Sequence, residues 1–445
     1  MKKVVEEKEK EEEKPKEAVK KPSGKDEALD FASLIEGSIE QARKLNVVRG
    51  IEELEKVTSI TQLTDLIVRK AWESGTSDIH IDPMDDSLVI RYRIDGVLYD
   101  VLSLKKEVQP LIITRIKVLS SMRTDEHLVA QDGRYRAEFD TGNVDLRVSI
   151  IPTFHGENVV MRLLVGGARA LGLEKLGFSD KDLKKIQNYI RKPYGMILAT
   201  GPTGSGKTTT LYSVLQILNS RDVSIVTIED PIEFAIPGLT QIQVNATTNL
   251  TFSQGLRAIV RQDPNIVLVG EIRDTETASI AVNAAMTGHL LLSTLHTNDA
   301  ATTLPRLLDM KIEPFLIATT VNVAIGQRLV RRLCQDCKEQ YTMSKEEIET
   351  LAELMPKELL EANRTVFRAK GCEKCNHTGY VKRQGIYEVL EVTEEVRELI
   401  KRRASSDDIR AKAREQGMTT MLEDGFAKVA TGITSIEEIL RVVHD

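Results

Sequence analysis

The chain has 445 residues, of which 41% are hydrophobic and 29% charged, with a formal net charge of −6. That length implies two or three domains with real cores, and the composition is that of an ordinary globular protein. No apolar run approaches the roughly 18 residues that span a bilayer. The charged N-terminus shows no secretory signal, and the acidic balance argues against a sequence-independent nucleic-acid binder. A cytoplasmic protein is expected, docking on a membrane from the inside if it works there.

In chain order, residues 1–27 carry nine Lys and nine Asp or Glu with Pro15 and Pro22. Such a segment has nothing to bury and reads as a disordered charged tail. Residues 28–56 read as a short helical lead-in, and helical spacing continues through Leu63, Leu66, Ile67 and Lys70. From Asp78 the period changes to two. The run "SLVIRYRIDGVLYDV" is strand, Asp95-Gly96 turn, strand. A helix is expected near Gln109 to Met122, then strands at "RYRAEF", "VDLRVSII" and "NVVMRLL". Residues 57–166 therefore form a compact α+β domain, and Gly166-Gly167 opens a linker over 167–179.

From Pro193 the pattern alternates strand and helix. "GMILAT", "VSIVTI", "NIVLVG" and "HLLLSTL" are short, continuously apolar runs, as buried parallel strands require. This predicts a doubly wound α/β domain over 180–330. Residues 331–385 hold all four cysteines and read as loop-rich with a short helix, and 386–445 as helical.

"GPTGSGKT" matches G-x-x-x-x-G-K-[ST] between an apolar strand and a helix. Gly201, Gly204 and Gly206 let the loop Gly201, Pro202, Thr203, Gly204, Ser205, Gly206 wrap around phosphate, with backbone N–H groups from every one of these residues except Pro202. The following helix adds its N-terminal dipole. Lys207 would reach the β- and γ-phosphates of ATP, Thr208 would ligate Mg²⁺, and Thr209 follows at the helix start. Such a loop needs acids on neighbouring strands. "IVLVGE" ends in Glu271, and "VTIEDPIE" carries Glu229, Asp230 and Glu233. One carboxylate should serve Mg²⁺ and another orient or deprotonate water, and the residues alone do not assign which. "TGHLLLSTLHTNDA" sets His289 and His296 at the two ends of one strand, either as structural groups or as sensors of the γ-phosphate.

Taken in order, "GPTGSGKTTTLY", "IEDPIE", "LVGEIRD" and "TGHLLLSTLHTNDA" resemble the Walker A, Asp, Walker B and His boxes of the secretion ATPase superfamily, the motors of type II secretion and type IV pilus assembly. "SDIHIDP", "IRYRIDG" and "QDGR" are similar to that family's preceding domain, so the resemblance spans roughly residues 60 to 440. It implies a PAS-like N-terminal α+β domain joined by a linker to a RecA-like P-loop domain, ATP held between them, and a homo-hexameric ring. It also implies that Arg147 and Arg162 reach the γ-phosphate, with Arg91, Arg93 and Arg134 as weaker candidates. Glu229 takes the place of the catalytic carboxylate and Glu271 that of the Mg²⁺-side acid. The implied partners are an inner-membrane platform protein and a pilus or secretion apparatus, with no nucleic acid. The alternatives are a nucleic-acid translocating motor, a pilus-retraction motor or a nucleotide-binding scaffold.

Cys334, Cys337, Cys372 and Cys375 form two Cys-x-x-Cys pairs 34 residues apart. This fits a closed, structural Zn²⁺ site of four thiolates, against the rival readings of a redox pair or inert thiols. "LCQDCK" and "GCEKCNHTGY" resemble the assembly and secretion branch rather than the retraction branch. A further N-terminal docking domain, which relatives often carry, is expected to be missing or much reduced.

Overall fold

The computed structural model describes residues 51–140, 142–164, 172–245 and 247–444. The charged tail, the lead-in as far as residue 50 and residues 167–171 of the expected linker lie outside them.

Helix α1 (Ile60–Glu73) starts at Ser59, whose hydroxyl accepts from the Gln62 N–H, and buries Leu63, Leu66 and Ile67. Strands β1 (Thr76–Pro83), β2 (Ser87–Ile94) and β3 (Val97–Lys105) follow, then helix α2 (Gln109–Leu119), β4 (Gln131–Phe139), β5 (Gly142–Thr153) and β6 (Gly156–Leu164). They form one six-stranded sheet in the order β3-β2-β1-β6-β5-β4. Between β2 and β3, Asp95 and Gly96 both take positive φ (50° and 89°), the two-residue hairpin turn the sequence announced. Along β5, Val144, Leu146, Val148 and Ile150 are buried and alternate with polar residues. The buried face packs with α1 and α2 in one core. The opposite face carries a transverse row in which Arg93 pairs with Asp78, Asp78 with Arg162, Arg162 with Arg147, and Arg147 with Arg134.

The second unit opens with α3 (Asp180–Tyr189), β7 (Gly195–Thr200), α4 (Lys207–Leu218), β8 (Ile225–Glu229), β9 (Thr240–Gln243), α5 (Phe252–Val260), β10 (Ile266–Val269), α6 (Thr275–Met286) and β11 (Leu290–Leu295). It continues through α7 (Ala300–Asp309), α8 (Pro314–Thr320) and β12 (Val321–Leu333). All six residues of β7 and of β11 are buried, because helices cover both faces of the sheet with two separate apolar cores. Each such aliphatic side chain contributes about 1.5–3 kcal/mol of burial. The sheet order is β15-β12-β7-β11-β10-β8-β9, parallel except for β15 (Tyr380–Glu391), which runs antiparallel to β12.

The segment between β12 and β15 was expected to be loop-rich with one short helix. It contains β13 (Glu339–Thr342), α9 (Lys345–Leu351), α10 (Lys357–Ala362) and β14 (Thr365–Arg368), with β13 and β14 paired as a separate two-stranded sheet. Helices of seven and six residues are too short for an apolar period to register in sequence. This module hangs from the ends of β12 and β15. Helices α11 (Glu394–Lys401), α12 (Ser406–Glu415), α13 (Met421–Ala430) and α14 (Ile436–His444) complete the helical C-terminus.

Candidate nucleotide and metal sites

The parallel register brings the C-terminal ends of the central strands to one edge. Thr200 on β7 pairs with Leu295 on β11, Ser293 on β11 with Val269 on β10, and Val269 with Ile228 on β8. Ligands of open α/β sheets bind at this edge. The glycine loop leaves β7 here and turns into α4. A Cβ at Gly201 would lie 2.5 Å from the Gln327 carbonyl, and Gly206 has φ of 90° at the helix N-cap, so both positions exclude larger residues.

Lys207 is 8% exposed, and its Nζ donates to the carbonyls of Gly201 at 2.7 Å and Pro202 at 3.0 Å. Burial, with the Arg328 charge adding and Glu271 opposing, pushes its ammonium down to about 8. It stays mostly protonated at neutral pH, and a phosphate anion would hold the proton more firmly. Pro202, Thr203, Gly204, Thr208 and Thr209 are exposed around the loop, while Ser205 is buried. Gln327 on β12 was not singled out from sequence. Its amide donates to the Ser205 carbonyl at 2.8 Å and accepts from Thr210 at 2.9 Å, stapling the loop to α4. Gln327 is 1% exposed in the fold, and its only mark in the sequence is a polar residue following the apolar run Val323–Gly326.

Glu271 lies just past β10 with its side chain 12% exposed. Its Oε2 is 3.0 Å from His296 Nε2, just past β11, and also accepts from Arg273. The structure thus joins Walker-type acid and His-box imidazole at the loop edge. Thr200 Oγ1 donates to the Thr297 carbonyl at 2.8 Å, fixing the His296 segment beside the loop.

His289, read from the sequence as either a structural group or a γ-phosphate sensor, lies at the other end of the same strand. It precedes β11, and its carbonyl accepts from the Gly195 N–H at the start of β7 (3.1 Å). Its buried Nδ1 donates to the Ala284 carbonyl at 2.9 Å. A six-residue strand puts this end about 20 Å from the loop edge. His289 is a satisfied structural group.

The expectation for Glu229 also shifts. It is 3% exposed, and its carboxylate accepts from Tyr212, from Thr227 at 2.5 Å and from Gln241 at 3.3 Å. These contacts tie β8 to α4 through the Glu229 carboxylate. Glu233, four residues on, is exposed, and with Asp230 it attracts Arg147 of the N-terminal sheet. Burial pushes the Arg147 guanidinium down, Glu233 and Asp230 oppose, and Arg134 and Arg162 add to the lowering. Arg162 is exposed and pairs with Asp78 at 2.8 Å, while Arg93 is 3.6 Å from the same carboxylate.

The four cysteine Sγ atoms lie within 4.8 Å of one another. Cys334–Cys372, Cys337–Cys375 and Cys372–Cys375 are 3.9, 3.8 and 3.7 Å apart. A ZnS₄ tetrahedron with 2.3 Å bonds has edges of about 3.8 Å, so the donor set fits zinc. The N–H groups of Cys372 and Gly379 donate to Cys375 Sγ at 3.1 and 3.2 Å, the second-layer support a thiolate ligand needs. Gathering four thiolates in one partly buried cluster requires a compensating cation.

A glycine loop between β7 and α4, with an acid and an imidazole on the adjacent strand ends, defines a P-loop nucleotide hydrolase of the RecA-like kind. The chain belongs to the type II/IV secretion system protein family, whose family model matches residues 53–441. It is 44% identical over 421 residues to the type II secretion system protein E of Pseudomonas aeruginosa, covering 94% of this chain and 83% of that one. It is 46% identical over 416 residues to the type II secretion system ATPase E of Vibrio cholerae, covering 94% and 80%. Against the type IV pilus assembly ATPase PilB of Myxococcus xanthus it is 41% identical over 427 residues, covering 95% and 74%. Among solved structures, the pilus retraction motor PilT with bound ADP aligns with a TM-score of 0.57 at 25% identity, covering 86% of this chain and 97% of that one. The ATPase DotB of Legionella pneumophila aligns with a TM-score of 0.61 at 22% identity over 86% and 95%, a likeness of fold alone. The family and its ATPase relatives make the chain an ATP hydrolase. Among the described residues no helix is long and apolar enough to cross a membrane.

Proposed function

We propose that this chain is the motor ATPase that powers assembly of a type II secretion pseudopilus or a type IV pilus, working as a homo-hexamer on the cytoplasmic side of the inner membrane against a platform protein. The observation that carries the reading is the shared loop edge: Lys207, Thr208 and the Glu271–His296 pair stand together, and the arginine row of the N-terminal sheet lies within electrostatic reach of Glu233. The named relatives at 41–46% identity are secretion and pilus-assembly proteins, which favours extension over the retraction alternative.

In this reading the loop amides and Lys207 hold the ATP phosphates, and the Thr208 hydroxyl and Glu271 hold Mg²⁺. The ion supplies charge neutralisation along the phosphates. Glu233 accepts the proton of the attacking water while ADP leaves. Arg147 and Arg162 offset the charge that develops on the transferring phosphoryl group. His296 orients Glu271. The cysteine cluster holds a structural Zn²⁺.

Two measurements test this. Glu233→Gln should lower kcat at least about a hundredfold with ATP binding retained, the scale for removing a proton acceptor, whereas Glu229→Gln should mainly lower the melting temperature. The reverse ranking in a steady-state ATPase assay and thermal melts would return the base to Glu229. Separately, ATPase activity followed against concentration, with light scattering on the same samples, should rise steeply as a six-subunit species forms. Full activity from a monomer would refute the shared-ring reading.

A further inference from the structure

Arg331, near the end of β12, stands where three parts of the chain meet. Its guanidinium donates to Tyr99 Oη on β3 at 2.9 Å and to Glu438 Oε1 on α14 at 2.6 Å. Its backbone N–H donates to the other oxygen of Glu438 at 3.0 Å, and Arg441 donates to both. The Tyr380 ring lies 4.1 Å from the guanidinium, and Tyr380 pairs with Leu333, the residue before Cys334. The Glu438 side chain is 2% exposed; burial raises its carboxyl, but the donors from Arg441 and Arg331 outweigh this and hold it at about 2. Beside this cluster, Asp95 at the β2–β3 turn lies 4.0 Å from Arg383 and accepts from the Lys382 N–H on β15.

None of these groups serves the phosphate chemistry directly. They do, however, tie one corner of the N-terminal sheet to the strand ends that carry the cysteine module. That corner adjoins the arginine row: Arg93, its first member, pairs with Leu98 next to Tyr99 and donates to the Gly96 carbonyl at 3.3 Å. Arg93 then shares Asp78 with Arg162, which pairs with Arg147. A rigid sheet clamped at this corner has its arginines aimed by the clamp.

We propose that Tyr99 and Arg331 are positioning residues for hydrolysis: they latch the β2–β3 turn onto the cysteine-flanked ends of β12 and β15 and so hold the arginine row over the Asp230–Glu233 segment, which makes the C-terminal module a control on turnover. The rate part of this rests on the reading of Arg147 given above; the latch itself does not.

The test uses the full chain with Mg-ATP. Tyr99→Phe keeps the ring and removes the hydroxyl that accepts from Arg331. It should lower kcat about threefold to tenfold, the worth of one ordinary hydrogen bond, with KM and the melting temperature little changed. In hydrogen–deuterium exchange it should speed exchange both at residues 94–100 and, across the contact, at 433–441, while β5 and β6 stay protected. Glu438→Gln, acting from the other side, should speed exchange at 94–100. Unchanged exchange across the contact in both variants overturns the latch, whatever the activity. If exchange is coupled and Arg147→Ala lowers kcat but Tyr99→Phe does not, the control of turnover is overturned. If Arg147→Ala has no effect, it is the arginine reading that fails, and the exchange data still judge the latch.

Discussion

Lys207→Ala should abolish measurable ATP hydrolysis while leaving the fold intact. The ammonium sits inside the loop, held by the carbonyls of Gly201 and Pro202, where ATP would place its β- and γ-phosphates. It is the buried cation of the loop, and burial has already driven its proton affinity down to about 8. Its charge is therefore held at a cost that phosphate relieves, so the gain on meeting an anion is larger than for a solvated lysine. Removing it leaves the loop amides and Arg328 in place, but takes away the loop's own charge at the β–γ bridge as it breaks. A fall of at least about a hundredfold in kcat/KM is expected, the scale for losing one preorganised electrostatic contact. The melting temperature should not fall, because a buried ammonium without its anion contributes little to stability. A coupled phosphate-release assay and a thermal melt on the same sample decide the matter: normal turnover from the variant would mean that the phosphates bind elsewhere.

Cys372→Ser should destabilise the C-terminal module and release its metal. Three of the sulfur pairs stand at the edge length of a ZnS₄ tetrahedron, and a hydroxyl in place of one thiolate breaks a four-coordinate site. Structural zinc contributes its binding free energy to folding, so the loss should lower the melting temperature by on the order of 10 °C. Metal analysis should show one zinc per chain in the native protein and less than that in the variant. A chelator should reproduce the shift in the native protein and add nothing in the variant. Native protein free of zinc, with an unchanged melting temperature for the variant, would remove the metal and leave four thiols, two of them buried.

Much of this was readable without coordinates. The loop Gly201–Thr208, the Asp95-Gly96 turn and the two Cys-x-x-Cys pairs are local: each is a contiguous run whose backbone demands or ligand spacing need no distant partner. The buried strands β7, β10 and β11 announce themselves because burial on both faces makes most of their residues apolar, with only the small hydroxyls of Thr200, Ser293 and Thr294 among them. The order of strand, loop and helix then brings the acid that ends β10, Glu271, to the loop edge, since parallel strands share one end.

Direction and partnership were decided only by the packed chain. His289 and His296 are seven residues apart, yet an extended strand sends them to opposite edges of the sheet, and only His296 meets Glu271. Glu229 and Glu233 are alike on paper. Tyr212, Thr227 and Gln241 converge on one of them and leave the other exposed. The same holds for Gln327, which reaches the loop across more than a hundred residues of chain, and for Tyr99 on Arg331. A residue's chemistry, and the conformations its neighbours allow, are written in order along the chain. Which lone pair is already taken, and which charge is left facing the ligand, depends on groups far away in sequence that close packing alone brings within hydrogen-bond distance.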